Sequence, residues 1–357
     1  MNAEPTESHD PERSRMKKWL PLLVTVGLML FIFGFVLPQF IDYEAVFRAI
    51  GDISIGSWLI LAILTAWQFI PAGWLLQSSL PGLKLKQGVT VGTVTNAVAN
   101  IPPGGLDLIV RYHMTRGWGF SAQAATTSTM LTWVFDTAAK LIMPVFAVLF
   151  LSLVRIRDDD LDFLAILGLT IVVVGAVLIA VGLRSTRFVA GLGRLLTRFV
   201  HFLSRIFRRD WVVDLEEGLL GFRDQTAGVI GARWHVGILS GLANQFTLFL
   251  VMLTAVRGVG LDSTEIGTTV VFAAVAAVAV VTTIPIFNAP GLNEALYISI
   301  LNFAAGGGHA DEIAAAVFVF RLVTWLIPIP IGGVSYMRWK GRMSLSATEA
   351  NPPVVPY

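Results

Sequence analysis

Six charged side chains of this sequence lie inside long apolar stretches, where charged residues are uncommon and usually functional. They are Asp107, Arg111, Asp136, Lys140, Glu294 and Arg321. Asp107 and Arg111 are four residues apart, which puts them on one face of a helix. Asp136 and Lys140 have the same spacing. Acids and bases paired in this way either join helices as structural ion pairs or line a polar cavity.

Glu294 and Arg321 have no oppositely charged neighbour at helical spacing. They can pair with each other across helices, or with a charged substrate. The sequence has no cysteine, and its five histidines are scattered without a metal-ligand spacing. No phosphate-binding glycine loop or dinucleotide motif is present either. We therefore predict no metal, no cofactor, no catalytic residue and no nucleic-acid partner, and a protein that is not an enzyme.

The elements that hold these charges are predicted to be membrane-spanning helices. Hydrophobic residues make up 55% of the 357-residue chain and charged residues 14%, whereas soluble domains have about 25% charged residues. Runs of about 20 apolar residues, the length that crosses a bilayer, indicate an all-α polytopic membrane protein with about six spans. The predicted spans are 19–39, 55–78, 119–153, 163–183, 234–256 and 312–337.

A further apolar stretch, 88–117, is interrupted by "NIPPGGLDLIVR" at 100–111. We predict a re-entrant hairpin of two short helices, 88–101 and 105–117, turning at Gly104 and Gly105. Irregular backbone at this depth needs shielding by protein or water, so the hairpin should line a cavity. The second helix would begin in mid-membrane, where its free N–H groups favour an anion. Arg111 adds a full positive charge on that helix.

A second broken stretch, 264–305, carries "IPIFNAPGLNEALY" at 284–297, with Asn293 and Glu294 just after the break. Its first arm, 264–284, is long enough to cross the bilayer, so this segment is either re-entrant or fully spanning. Both arrangements leave the rest of the topology unchanged.

The order of elements in 19–153 recurs in 163–337, which predicts two membrane repeats. Since each repeat has three crossings, the copies would be inverted, as in many transporters. The second repeat is interrupted by 184–232, a basic amphipathic segment that suits either a lipid surface or the base of the protein. Residues 1–18 and 338–357 are predicted cytoplasmic tails. Most lysines and arginines then fall on the side of both termini, which places both termini in the cytoplasm.

Four motifs resemble one family of membrane proteins: "PPGGLDLIVRYHMTRGWGFS" (102–121), "AKLIMPV" (139–145), "IPIFNAPGLNEA" (284–295) and "FRLVTWLIPIPIG" (320–332). They are similar to the transmembrane region of lysylphosphatidylglycerol synthase, the flippase-like UPF0104 family, over about 19–340. The likeness is strongest to stand-alone actinobacterial members without the aminoacyl-transferase domain. It implies a bacterial cytoplasmic membrane protein that handles lipid, with family-motif residues at Arg111, Asp136, Gly291, Glu294 and Arg321.

The main functional hypothesis is therefore a transbilayer lipid transporter for an anionic phospholipid or a polyprenyl-phosphate-linked sugar. The headgroup would bind near Gly104, Gly105, Arg111, Asn293, Glu294 and Arg321, with Asp107, Asp136 and Lys140 completing the charge network. Glu294 is the expected proton carrier if an ion gradient drives transport; otherwise the protein would act as a passive scramblase. Two alternatives are a secondary transporter of a small polar solute and a noncatalytic membrane partner of a lipid-modifying enzyme or glycosyltransferase.

Overall fold

The fold was obtained as a computed structural model, which describes residues 43–99, 105–153, 215–283 and 291–350. Within these ranges the chain forms helices and short connections, with no strand. The helices are α1 (Tyr43–Gly51), α2 (Ile55–Trp67), α3 (Phe69–Ser79), α4 (Leu85–Ala99), α5 (Leu106–Gly117), α6 (Ala122–Leu153), α7 (Leu215–Gly258), α8 (Thr268–Val281), α9 (Leu292–Ala304), α10 (Ala310–Arg321) and α11 (Pro328–Ala350).

Among the described residues, four apolar helical stretches are long enough to cross a membrane, which makes this a multi-pass membrane protein. They are Ile55–Ser79, Ala122–Phe150, Arg233–Gly258 and Ala310–Met343. The shortest has 25 residues, or roughly 37 Å at 1.5 Å per residue, against a hydrocarbon core of about 30 Å. The spans predicted at 55–78, 119–153, 234–256 and 312–337 are thus confirmed as apolar helices. The spans predicted at 19–39 and 163–183, and the tail 1–18, lie outside the described residues.

Both broken stretches consist of two short helices. The first contains α4 and α5, on either side of residues 100–104, and the second contains α8 and α9, on either side of residues 284–290. We call these pairs the first and the second broken segment. The arm expected at 264–284 begins only at Thr268, because residues 259–267 form a loop held by the side chains of Arg257 and Asp262. At 14 residues, α8 is about 21 Å long and does not by itself cross the core.

Two segments expected outside the membrane continue as helix from a span. Residues 215–232, the end of the predicted 184–232 segment, form one 44-residue helix with the following span, so they are not a separate surface helix. The rest of that segment, 184–214, lies outside the described residues. The tail expected at 338–357 continues as helix α11 through Ala350.

Each broken segment packs its first helix against the last span of the other half. Helix α4 lies against α11, and α8 lies against α6. The first contact is close because Gly332 of α11 faces Ala97 and Thr93; a Cβ atom at Gly332 would lie 2.9 Å from the Thr93 carbonyl oxygen. The second contact is made by larger side chains, with the ring of Phe272 on α8 next to that of Phe150 on α6. These contacts place each broken segment against the opposite half of the chain.

Candidate functional site

A polar cavity of about 310 Å³ lies between the two broken segments and the spans around them. Five of the six predicted membrane-depth charges line it: Asp107, Arg111, Asp136, Lys140 and Arg321. Asn293, another predicted site residue, also lines it. The cavity therefore draws charged side chains from both halves of the chain into one site.

Asp136 and Lys140 form the ion pair expected from their spacing. Lys140 Nζ lies 2.9 Å from Asp136 Oδ2, and both side chains are partly exposed to the cavity. Both residues are on α6, so the pair holds no two helices together. It neutralises one wall of the cavity.

Glu294 and Arg321 pair across two helices, which is one of the two arrangements expected for them. The Nε atom of Arg321 donates to Glu294 Oε1. The second carboxylate oxygen, Oε2, accepts a hydrogen bond from the Gly291 N–H at 2.7 Å. The Glu294 side chain is only 5% exposed. Glu294 thus caps the start of α9, stands behind the cavity wall, and ties α9 to the end of α10.

Of the two arrangements expected for residues with this spacing, Asp107 and Arg111 have the one in which they line a cavity, and they form no ion pair with each other. Both line the cavity and both are half-buried, yet between these two described residues no nitrogen–oxygen distance falls within 4.0 Å. Asp107 and Asp136 are the acids whose fields act on the Arg111 guanidinium. Within the described part of the chain, the guanidinium of Arg111 has no hydrogen-bonded side chain. This cation is consequently open to a bound anion.

The second helix of each broken segment begins at a glycine with a left-handed backbone. The φ angle is 93° at Gly105 and 92° at Gly291, a conformation that costs little only without a Cβ atom. An acid follows in the first turn of each helix, Asp107 in α5 and Glu294 in α9. Gly105 is not part of the cavity wall, and Gly104 lies outside the described residues. The predicted anion site at the α5 terminus therefore has Arg111, and not Gly105, at the cavity.

A π-helical turn, Leu322–Leu326, follows Arg321 directly. The Ile327 N–H donates to the Leu322 carbonyl five residues earlier, at 2.9 Å. The next residue, Pro328, has no N–H to continue the helical hydrogen bonds, which accounts for the widened turn before it. Such turns often occur at functional sites, and here Arg321 and Thr324 both face the cavity.

Neutral hydrogen-bonding side chains form a large part of the wall, and we did not predict them from the sequence. Besides the predicted Asn293, four are carboxamides: Gln68, Asn96, Asn244 and Gln245. Hydroxyl groups come from Thr95, Thr132, Thr282, Thr324 and Tyr297. These residues could have been predicted from glutamine and asparagine in the middle of apolar runs, because a buried amide needs a hydrogen-bond partner.

The wall of the cavity continues onto the outer surface of the protein between α5 and α6. Leu108 and Trp133 line the cavity, and they are 38% and 53% exposed. Their neighbours Ile109 and Met130 are also exposed apolar residues. The polar cavity therefore has an apolar edge.

No set of three histidine or acidic residues in the described ranges is arranged to hold a metal ion. Within the described ranges, His309 Nε2 lies 3.9 Å from Glu265 Oε1, between the loop before α8 and the start of α10. Neither residue lines the cavity.

The sequence matches the family model described as the lysylphosphatidylglycerol synthase TM region over residues 18–332. This match confirms the resemblance seen in the motifs. No curated protein is significantly similar to the chain. The matched region contains both broken segments and every residue named above as lining the cavity.

Proposed function

Because the chain belongs to the family of the lysylphosphatidylglycerol synthase transmembrane region, we propose that it moves a phosphate-bearing lipid between the leaflets of the bacterial cytoplasmic membrane. The observation that carries the proposal is the polar cavity among apolar spans, with the Arg111 guanidinium free of an ion pair among the described residues. Charged groups are expensive in hydrocarbon and are kept mainly where they serve a substrate or ion pathway.

The apolar edge of the cavity supports a lipid over a fully soluble substrate. A headgroup bound at Arg111 would leave its acyl chains beside Leu108 and Trp133, which are exposed toward the bilayer. The headgroup would then cross inside protein while its chains stay in hydrocarbon. In this role the protein is not an enzyme, because movement of a lipid breaks no covalent bond.

The proposed transport cycle uses the two halves as inverted repeats that exchange access to one site. The reciprocal packing of α4 on α11 and of α8 on α6 supports this symmetry. In this arrangement both termini are cytoplasmic. Without a gradient the protein would equilibrate lipid passively. As a proton carrier Glu294 would first have to lose Arg321, whereas Asp107 lies in the cavity without an ion pair among the described residues.

A secondary transporter of a small polar solute is the second candidate. The cavity volume favours it, since about 310 Å³ lies at the lower end of the roughly 300–1,000 Å³ range of small-molecule sites. A solute transporter would accumulate a water-soluble compound in vesicles. A lipid transporter would change the leaflet distribution of a labelled lipid and accumulate nothing.

The test is reconstitution of the full chain in liposomes that contain phosphatidylglycerol with a fluorescent headgroup-proximal label, followed by quenching of the outer leaflet. Wild type should expose inner-leaflet label, and Arg111→Met should slow this by about tenfold or more, since a hydrogen bond to a charged group contributes roughly 1.5–3 kcal/mol.

The matched control is Arg116→Met on the same helix. Arg116 is exposed, donates to the Phe120 carbonyl at 2.7 Å and does not line the cavity, so its loss should leave the rate unchanged. Equal rates in wild type, Arg111→Met and protein-free liposomes would overturn the proposal.

A further inference from the structure

Two glutamines of the cavity wall have buried amide groups that lack a hydrogen-bond partner. Gln68 is 2% exposed and Gln245 is 1% exposed. The Nε2 atom of each is enclosed and hydrogen-bonds no described group. A buried donor without an acceptor is unfavourable, and native proteins rarely keep one without a reason.

The same two residues occupy matching places in the two halves. Gln68 is the fourteenth residue of the span Ile55–Ser79, and Gln245 is the thirteenth residue of the span Arg233–Gly258. Both are therefore near the middle of a membrane-crossing helix, where no bulk water reaches an unpaired amide. These two spans also pack against each other through α3 and α7. The pair of amides thus lies at the centre of the bundle.

An occupant of the cavity is able to provide the missing acceptors. Both glutamines line the cavity, and the terminal torsion of a glutamine is broad, so a rotation about it turns the amide toward a bound group. The other enclosed atoms without a partner in the described ranges are Asn302 Oδ1 and the indole Nε1 atoms of Trp325 and Trp339. None of these three residues lines the cavity.

The chemistry of the wall indicates what that occupant is. A phosphate needs cations and donors, which Arg111 supplies. The carboxamides of Gln68, Asn96, Asn244 and Gln245 each offer both donors and an acceptor. A hydroxyl group has the same double character, because its oxygen accepts and its hydrogen donates. An ammonium group has donors only and would leave the amide N–H groups unpaired.

We infer that the headgroup carried by this site is a phosphate bearing several hydroxyl groups, such as glycerol, inositol or a sugar, with Gln68 and Gln245 as the residues that select the hydroxyls. This rests on the proposed function, in which a lipid headgroup enters the cavity. The cavity volume of about 310 Å³ lies within the roughly 300–1,000 Å³ range of small-molecule sites, which is the size class of one such headgroup.

The test measures binding of matched lipids to the purified full chain in nanodiscs by isothermal titration. Phosphatidylinositol and phosphatidylglycerol present hydroxyls, whereas phosphatidic acid and phosphatidylethanolamine with the same acyl chains do not. Wild type should bind the first two about tenfold more tightly, the effect of one or two well-placed hydrogen bonds. The variant with both Gln68→Met and Gln245→Met should lose this preference while its affinity for phosphatidic acid stays within about twofold.

Gln77→Met is the matched control, because Gln77 donates to the Leu83 carbonyl at 3.1 Å and lies outside the cavity wall. It should keep the preference. If the double variant does not fold, the two single variants replace it, and each should reduce the preference. A preference retained in them, or absent from wild type, would overturn the inference.

Two further measurements distinguish a failure of this inference from a failure of the proposed function. Glycerophosphoinositol, the headgroup without acyl chains, should bind far more weakly than the lipid; equal binding would identify a soluble polyol phosphate as the occupant and remove the lipid proposal. Labelled lipid that moves in liposomes without any headgroup preference would overturn only the inference.

Discussion

Both broken segments carry an acid in the first turn of their second helix, but among the described residues only the acid of the second segment is ion-paired. In the second segment, both oxygens of Glu294 are engaged, one by Arg321 and the other by the Gly291 N–H. In the first segment, Asp107 and Arg111 face the same cavity without an ion pair between these two described residues. The segments also differ in packing, since α4 meets α11 through a glycine, and α8 meets α6 through aromatic rings.

This difference predicts that the ion pair of Glu294 and Arg321 contributes mainly to stability, whereas Arg111 contributes mainly to the proposed binding site. A buried ion pair with every partner in place is costly to break, because either ion alone is left in an apolar environment. Asp107 and Arg111 are half-buried and not ion-paired with each other, so they have little mutual attraction to lose when they rearrange. Substitutions in the two segments should therefore separate stability from transport.

The largest effect is expected from Arg321→Met. This change leaves the Glu294 carboxylate buried without its counter-ion, and breaking a buried ion pair typically lowers the free energy of unfolding by about 3–5 kcal/mol. The melting temperature of the purified protein in detergent or nanodiscs measures it. The double change Arg321→Met with Glu294→Gln should recover much of the loss, since no charge is then left unpaired. If Arg321→Met had the same melting temperature as wild type, the ion pair of Glu294 and Arg321 would not stabilise the fold.

A smaller loss is expected where α4 and α11 touch. Gly332→Ala places a methyl group against the Ala97 side chain and 2.9 Å from the Thr93 carbonyl oxygen, and such overpacking costs about 1–3 kcal/mol. Gly333→Ala is the matched control, because its Cβ would have no neighbour within 4 Å. On helix propensity alone Gly333→Ala should be neutral or stabilising by roughly 0.5–1 kcal/mol. Equal melting temperatures of the two variants would show that α4 and α11 are not in close contact.

Much of the fold could be predicted from the sequence because the thickness of the bilayer sets the length of a spanning helix. The span predicted at 55–78 differs by one residue from Ile55–Ser79, and the span predicted at 234–256 lies within Arg233–Gly258. Helix ends outside the membrane have no such constraint. Residues 215–232 therefore looked like part of a separate surface segment, although they continue into the next span.

The charges of the site could also be predicted, because charge within an apolar run is conspicuous. A spacing of four residues does not by itself determine whether an ion pair forms. Asp136 and Lys140 form one, whereas Asp107 and Arg111, with the same spacing, do not form one with each other. Helical spacing brings two side chains into reach, and their surroundings decide whether they meet. The buried amides of Gln68 and Gln245 were missed because a neutral residue barely changes the hydropathy of its run.

Arg111→Met should change stability much less than Arg321→Met. Its guanidinium has no ion pair among the described residues, so its loss removes a desolvation cost together with weak attraction to Asp107 and Asp136. We expect a change of less than about 1 kcal/mol in the free energy of unfolding, because these two effects have opposite signs and the lost attraction is between groups that form no ion pair. Denaturation of both variants under one condition measures the contrast. If Arg111→Met lost as much stability as Arg321→Met, Arg111 would contribute to the fold in the same way as Arg321, and the proposed difference between the two residues would be wrong.

The smallest effect concerns the loops that lead into the two broken segments. Before α8, Asp262 Oδ1 accepts hydrogen bonds from the hydroxyl and the N–H of Thr264, at 2.6 and 2.7 Å. These bonds hold the pKa of Asp262 below its ordinary value of 3.8. Before α4, the corresponding turn is held by the neutral side chains of Gln77 and Gln87.

Only the loop before α8 should therefore respond to acid. Since the folded-state pKa of Asp262 is lowered, its contribution to stability is complete above its unfolded-state pKa and is lost as the pH falls through the lower folded-state value. Hydrogen exchange at Thr264 and Glu265 should speed up at pH values below 3.8, relative to the exchange of Lys84 and Gly88. Asp262→Asn should reduce that pH dependence, because an asparagine side chain does not titrate in this range. If both loops loosened together on acidification, the cause would be global unfolding, and the charged side chain of Asp262 would not set the loop before α8 apart from the loop before α4.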